Sequence, residues 1–257
     1  MTLTLVSGLD LGRCADYSAL ATLERSPAPE AVRTRKRRWI YRLRWLETWD
    51  LGTRYTAVKP GERSIIGDVR TRFDTDMLKD TMLAVDFTGV GTAVVDGLKA
   101  AKVPARIHPI LITAGHSISR PNENKERSWH VPKKELVSTL ITLLQSDLLK
   151  WPRVEGSPKP GFQATLARFE KEMAEFRVKV TKSANETFAG DKSQHDDLVL
   201  AVMLAAWLGE NTGAGDPSGI GLPSDDDRSV LDGAPDGVFH TGRGREFGGI
   251  GHNPPRV

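Results

Sequence analysis

Short apolar runs alternate along the chain with stretches whose apolar residues have helical spacing. Alternating or continuous apolar runs predict strands, and a spacing of three or four residues predicts helices. Six strands are predicted on this basis, at residues 3–11, 17–25, 39–46, 82–85, 103–113 and 176–180. Five helices are predicted, within residues 54–80 and at 92–101, 133–150, 162–174 and 195–209. The strand–helix–strand succession in the middle of the chain indicates an α/β sheet with parallel neighbours and right-handed crossovers.

Two polar stretches fall outside this pattern. Residues 114–131 are polar and irregular, which predicts a mobile loop near the strand ends. From Asn211 onward the hydrophobic periodicity is lost and Gly, Pro, Asp and Ser dominate. We therefore predict one folded domain at residues 1–210 and a largely disordered tail at 211–257, with a short binding motif at its end.

Composition narrows the class of protein. The 257 residues, 39% of them hydrophobic, suffice for one sizeable core, and no apolar run is long enough to span a bilayer. The single cysteine, Cys14, rules out a disulfide framework, so we expect a cytoplasmic protein. Residues 1–210 hold 32 basic and 26 acidic residues, a balance that suits a polyanionic partner.

Acidic residues stand where three of the predicted elements begin or end. Asp10 lies in the first strand, Asp86 follows the strand at 82–85, and Asp196 and Asp197 begin the last apolar helix. Burying a carboxylate costs several kcal/mol unless a cation or hydrogen-bond donors compensate it. Asp10 has an ordinary explanation, as an acceptor for the amides of the following turn. Helix N-capping explains one acid of the later pair, but explains two acids and His195 less well.

Clustered carboxylates at strand ends are also suited to metal chemistry. Two hard divalent cations about 4 Å apart can stabilise both the attacking water and the leaving oxygen of a phosphodiester. The three acidic positions are each weak signals alone, and their order and contexts together are more specific.

Four motifs together resemble a known family. They are GLDLG with the following DYSA, VDFTGVG, VPKKELV and HDDLVLAVMLAAW. Over roughly residues 4–208 the chain is similar to the nuclease domain of phage large terminase subunits, which belongs to the ribonuclease H-like superfamily. The resemblance implies an α/β fold: a mixed five-stranded sheet, ordered 3-2-1-4-5 and flanked by helices.

The resemblance also implies roles for individual residues. Asp10, Asp86 and Asp197 correspond to the catalytic acids, which would hold two Mg²⁺ or Mn²⁺ ions, and Asp196 could substitute or assist. His195 could orient a carboxylate or a water, although a surface capping histidine is the simpler explanation. Asp16 fits the hairpin position of the family, where we expect a structural role.

Two basic segments are candidates for nucleic-acid binding. Arg35, Lys36, Arg37 and Arg38 precede a strand rich in Trp, Tyr and Arg, a pattern that serves either DNA contact or the protection of a sheet edge. Lys133 and Lys134 match a basic position before a helix, where phosphate contact and ordinary solvation are both open.

The function implied is a metal-dependent endonuclease that cuts concatemeric phage DNA during genome packaging in the host cytoplasm. The sequence lacks the G-x-x-x-x-G-K-[ST] phosphate loop, so we expect the packaging ATPase on another polypeptide, with small terminase and portal protein as further partners. Two alternatives share the fold: a Holliday junction resolvase-like nuclease, and a non-catalytic domain that binds DNA or portal protein. An actin-like ATPase or sugar kinase would need a longer, duplicated fold and leaves the HDD motif without a role.

Overall fold

A seven-stranded mixed sheet lies at the centre of the described part of the chain. The computed structural model describes residues 4–12, 16–28, 39–59, 61–121, 128–153, 156, 160–182 and 196–212, with backbone alone at 177–182. The strands are β1 (Thr4–Asp10), β2 (Ser18–Pro27), β3 (Trp39–Trp49), β4 (Met82–Asp86), β5 (Arg106–Thr113), β6 (Trp129–Pro132) and β7 (Leu149–Lys150). The helices are α1 (Ile65–Phe73), α2 (Thr92–Ala100), α3 (Lys133–Gln145), α4 (Phe162–Lys182) and α5 (Asp197–Asn211).

The strand order confirms the predicted fold class. The sheet is ordered β6-β5-β4-β1-β2-β3-β7, which contains the predicted 3-2-1-4-5 succession. β1 pairs antiparallel with β2 and parallel with β4, so the sheet changes direction at its centre. The chain therefore has the mixed ribonuclease H-like sheet, extended by one short strand on each side.

Helices cover both faces of the sheet and divide the core in two. The side chains of α1 and α2 pack on one face, around Val69, Phe73 and Leu98. Those of α3, α4 and α5 pack on the other, around Leu140, Phe169 and the whole length of α5. Both faces of the central strands are therefore apolar, which explains their continuous hydrophobic runs.

Helix α5 lies unusually close to β1. A Cβ atom added at Gly8 would stand 2.1 Å from the carbonyl oxygen of Ala201 and 2.7 Å from the amide nitrogen of Ala205. The far end of α5 is held by Arg25, a buried residue of β2, which donates through Nη1 to the carbonyl oxygens of Gly209 and, at 2.9 Å, Thr212. Arg25 pairs with Thr4 at the start of β1, so α5 runs antiparallel to β1.

Three predicted elements are wrong. Residues 176–180 form the last part of α4 instead of a strand, because Phe176 continues the buried stripe of Phe169 and Met173 at helical spacing. The helix predicted at 133–150 ends at Gln145, where Asp147 takes a positive φ of 56° and the chain turns into β7. The loop predicted at 114–131 ends in β6, which pairs with β5 from Ile110 to Thr113.

The predicted tail lies almost wholly outside the described residues. Its first two members, Asn211 and Thr212, end helix α5. None of the helices in the described part of the chain combines the length and apolarity that crossing a membrane requires.

The contact at Gly8 yields a stability prediction. Gly8→Ala should lower the free energy of unfolding by about 3 kcal/mol, because the new methyl group overlaps backbone atoms that cannot rotate away. Urea denaturation measures the loss. The matched control is Gly115→Ala on the exposed β5–β6 connection, where the nearest atom to the new carbon would be Thr113 Oγ1 at an ordinary 3.5 Å. Equal stability of the two variants would contradict the close packing of α5 on β1.

Candidate metal centre

The ends of two neighbouring strands place Asp10 beside Asp86. β1 and β4 are parallel and pair from Val6 with Met82 to Leu9 with Val85, so the next positions in this register are the two acids. Neighbouring strands lie about 4.8 Å apart, and side chains at paired positions point to the same face. Both aspartates are buried, with 7% of each residue exposed.

Helix α5 brings Asp197 to the same place. Gly8 and Asp10 are two residues apart on one face of β1, which spans about 6.8 Å. Ala201 and Asp197 are four residues apart on one face of α5, which spans about 6 Å. Because Gly8 contacts Ala201 and the helix runs antiparallel to the strand, Asp197 lies near Asp10, and it is also buried.

The Asp10 carboxyl group lies in a strongly unfavourable place for a negative charge. Its pKa is raised well above the usual value, first by burial and then by the charges of Asp86, Asp197, Asp196 and Asp16. Each of these five influences raises it. The Gly12 amide, which could have compensated Asp10 from the following turn, binds Ser18 Oγ instead at 3.1 Å.

Asp86 is compensated in part. Its Oδ1 accepts the Thr88 amide at 2.7 Å, and the threonine hydroxyl accepts the amide of Ile112 in β5 at 2.7 Å. Burial raises the pKa of Asp86 to about 6, against the lowering effects of Thr88 and of the Lys133 charge. Lys133, the first residue of α3, therefore lies close enough to the acid to act on it electrostatically.

Asp197 is held by Arg168 of α4, which also binds Glu172 of the same helix, and the sequence analysis singled out neither residue. Arg168 donates through Nη2 to Asp197 Oδ2 at 3.2 Å and through Nε to Glu172 Oε1 at 2.8 Å. The buried Glu172 carboxylate also accepts the Leu198 amide at 3.0 Å. Burial raises the pKa of Glu172 to about 7, although Arg168 and the Leu198 amide lower it.

These contacts weigh against the capping explanation for the two adjacent acids. Asp196 is the N-cap residue of α5, yet its side chain makes no capping hydrogen bond. Glu172 supplies an acceptor to the helix end from α4, and Asp197 pairs with Arg168. Of the two acids, Asp197 is the better candidate for a metal ligand beside Asp10, since it affects the pKa of Asp10 more than the half-buried Asp196 does.

The oxygen-rich donor set suits a hard cation such as Mg²⁺. Among the described residues, no group of three or more Asp, Glu, His or Cys side chains is arranged to hold a metal ion by itself. Mg²⁺ needs no such group, because it usually keeps several waters and binds through one or two carboxylates and substrate phosphates. The buried Asp10, with Asp86 and Asp197 near it, therefore fits a cation whose coordination is completed by water or phosphate.

The other predicted site residues divide into two groups. Lys134 is exposed and lies 3.2 Å from His116 Nδ1, measured from its Nζ. The remainder fall outside the described residues: Arg35, Lys36, Arg37, Arg38 and His195.

Two arginines in the described part of the basic strand β3 pair with side chains of the neighbouring strand β2. Arg44 donates through Nε to Glu24 Oε2 at 2.7 Å across the strand pair. Arg42 donates to Ser26 Oγ at 2.7 Å and lies 3.7 Å from the same Glu24 carboxylate. For these two arginines the contacts favour a role within the sheet.

Comparison with solved structures finds the nuclease domains of large terminases. The chain is 16% identical to the large terminase nuclease from thermophilic phage G20c with bound zinc, over 79% of this chain and 80% of that chain, with a TM-score of 0.42. The chain is 17% identical to another structure of the phage G20c large terminase nuclease, over 79% of this chain and 81% of that chain, with a TM-score of 0.43. It is 15% identical to the human cytomegalovirus terminase nuclease domain, Mn-soaked and inhibitor-bound, over 80% of this chain and 82% of that chain, with a TM-score of 0.44.

The chemistry of the site is inferred from its own residues. No family model matches the sequence, and no curated protein does.

The raised pKa values predict how stability depends on pH in the metal-free protein. A carboxyl group with a higher pKa in the folded than in the unfolded chain binds its proton more tightly when folded, so stability increases as pH falls through the folded pKa toward the unfolded pKa. The folded values are about 7 for Glu172 and about 6 for Asp86. Each unit of pKa corresponds to about 1.4 kcal/mol. Between pH 8 and 5.5 the Tm in chelator should therefore rise by on the order of 5 °C.

Calorimetry across this range checks the sign of the effect. Glu172→Gln should flatten the dependence, because it removes the group with the higher of the two pKa values. Glu62→Gln is the control: the amides of Val58 and Lys59 lower the pKa of Glu62, so it titrates below the range. A Tm that falls between pH 8 and 5.5 would show that these carboxyl groups are compensated in the folded protein.

Proposed function

We propose that this chain is a metal-dependent endodeoxyribonuclease that hydrolyses phosphodiester bonds with two divalent cations, Mg²⁺ or Mn²⁺. The observation that carries the proposal is the concentration of buried carboxylates around Asp10, whose pKa is raised by four aspartates among the described residues. Retaining such charge in a buried site is unfavourable unless a cation compensates it. Asp10, Asp86 and Asp197 would hold the ions, with Asp196 at the rim.

Bound divalent cations would polarise the phosphate and lower the pKa of a water to generate the attacking hydroxide. The chain's own residues perform the remaining tasks. Burial of Asp10 and Asp86 limits the access of bulk water, and Thr88 restrains the Asp86 carboxylate. No covalent enzyme intermediate is needed, so neither Cys14 nor a serine nucleophile has a role in this proposal.

The proposed substrate is double-stranded DNA held mainly through its phosphates. Lys133 lies beside Asp86, and Lys134 follows it on the exposed side of the α3 start. Phosphate contacts position a duplex without reading its sequence. We also propose phosphate contacts for the basic segment before β3, because basic and aromatic residues are interleaved there in the sequence. Its residues are Arg35, Lys36, Arg37 and Arg38.

The biological setting we propose is the cutting of concatemeric DNA during phage genome packaging, as the nuclease component of a terminase. The motif resemblance supports this setting. A separate packaging ATPase, small terminase and portal protein would be the partners. A resolvase-like nuclease would instead cleave four-way junctions in preference to linear duplex, and a non-catalytic DNA- or portal-binding domain would cleave neither.

Removing one carboxylate should abolish cleavage. Asp10→Asn, Asp86→Asn and Asp197→Asn should each reduce the nicking of supercoiled plasmid in Mn²⁺ or Mg²⁺ by at least about 10³-fold, because each removes a proposed ligand. DNA binding should be kept or improved, since negative charge facing the phosphates is lost. Asp96→Asn, which makes the same charge change on the exposed side of α2, should cleave normally. Full cleavage in chelator would defeat the proposal.

Lys133 should contribute to binding independently of sequence. Lys133→Ala should weaken the affinity for duplex DNA to a similar degree for unrelated sequences and reduce the slope of log K against log salt by about 1. Fluorescence anisotropy at several salt concentrations measures both. Lys99→Ala, at the end of α2 on the other face of the sheet, is the control. An unchanged slope for Lys133→Ala would assign this lysine to solvation or to compensation of Asp86.

A further inference from the structure

We infer that Arg168 and Glu172 are positioning residues that orient the Asp197 carboxylate for metal binding. The inference deepens the proposed function and rests on it, since it concerns how this chain holds one proposed ligand. Neither residue belongs to a motif on which the terminase resemblance depends. Both lie on α4 and reach the start of α5 across the helix interface.

The geometry joins two helices through one guanidinium. Arg168 contacts Glu172 Oε1 with Nε and Asp197 Oδ2 with Nη2, so the planar group is shared between carboxylates of α4 and α5. The arginine is held further by Tyr17, whose ring centre lies 4.3 Å from the guanidinium carbon. A rigid planar guanidinium held on two sides fixes the direction of the carboxylate that it contacts, whereas the point charge of a lysine ammonium does not.

Asp197 needs such restraint because its last torsion angle is soft. The terminal torsion of an aspartate has broad minima, so the carboxylate plane is not fixed by the helix alone. The contact of Arg168 with Oδ2 restrains that plane. Glu172 acts on the backbone beside it, since its Oε2 accepts the Leu198 amide and ties the first turn of α5 to α4. Partners that orient a ligand in this way commonly change metal affinity 10- to 100-fold when mutated.

The charge of Arg168 allows positioning to be separated from simple electrostatics. Replacing Arg168 by glutamine removes a positive charge next to the carboxylates. If the charge were all that mattered, the more negative site would bind a divalent cation more tightly. If Arg168 positions Asp197, the same substitution weakens binding despite the added negative charge. The two explanations therefore predict changes of opposite sign.

The experiment is a Mn²⁺ titration of the full chain, followed by thermal unfolding in the absence of DNA. The apparent Kd follows from the stabilisation at each Mn²⁺ concentration. We expect Arg168→Gln to raise the Kd about 10-fold or more. Arg168→Lys should raise it as well, because an ammonium keeps the charge but loses the two-sided contact. The lysine variant also serves if the glutamine variant does not fold.

The matched control is Arg72→Gln. Arg72 resembles Arg168 in pairing with a carboxylate, Glu47 at 2.9 Å, and in lying 4.2 Å over an aromatic ring, that of Trp45. Its side chain is 34% exposed, against 30% for Arg168, and it belongs to α1 on the other face of the sheet. Loss of this arginine should leave the Kd for Mn²⁺ unchanged.

The outcomes test the positioning role of Arg168 separately from the proposed function. Suppose that Mn²⁺ stabilises the parent protein, that Arg168→Gln binds Mn²⁺ as tightly or more tightly, and that Arg168→Lys binds it equally well. This result overturns the positioning role and leaves the proposed function intact. A parent that Mn²⁺ does not stabilise overturns the proposed function, and the positioning role with it. Weaker binding in both Arg168 variants, with Arg72→Gln unchanged, supports the inference.

Discussion

The close contact between the backbones of α5 and β1 is the constraint on which the site depends. It exists because Gly8 has no side chain to hold the helix away from the sheet. Once this contact is fixed, the regular rise of strand and helix carries Asp10 and Asp197 to the same end of the interface. Charged groups of opposite sign hold the helix at its two ends, Glu172 near its amides and Arg25 at its carbonyls, as the helix dipole favours.

The negative charges of the three aspartates are compensated to different degrees. Asp86 has an amide donor and a lysine nearby, and Asp197 has an arginine, while among the described residues each charge that acts on Asp10 raises its pKa. Asp10 also stands on β1, the middle strand of the sheet. A structural role would be served as well by a neutral side chain at this position, so the retained acid supports a function that uses its charge.

Much of this arrangement could be predicted from the sequence because the central elements are long and strongly patterned. The apolar runs around Asp10 and Asp86 and the apolar length of α5 each produce a clear signal. The edge strands β6 and β7 have four and two residues, too few for any periodicity. The error at residues 176–180 has a similar cause, since Val178 and Val180 alternate with basic residues like a strand while the packing of Phe176 continues the helix.

Arg168 and Glu172 could not have been predicted from pattern alone. In the sequence they are an arginine and a glutamate four residues apart on a helix, which is typical of a solvent-exposed pair. Only the packing of α4 against α5 gives them a different role, because it buries the glutamate and directs the arginine toward Asp197. Pairs of this kind become functional through tertiary structure, which the spacing of residues in one helix does not encode.

The position of α5 in the chain has a consequence for synthesis. Asp10 and Asp86 are translated before Asp197, which follows more than a hundred residues after Asp86, and the hydrogen bond from Arg25 to Gly209 spans 184 residues. Such long-range closure is slow, and on the ribosome it must wait until α5 has emerged. Until then the strip of β1 at Gly8 has no partner and the carboxylate cluster is incomplete. The centre can therefore form only after α5 has docked on β1.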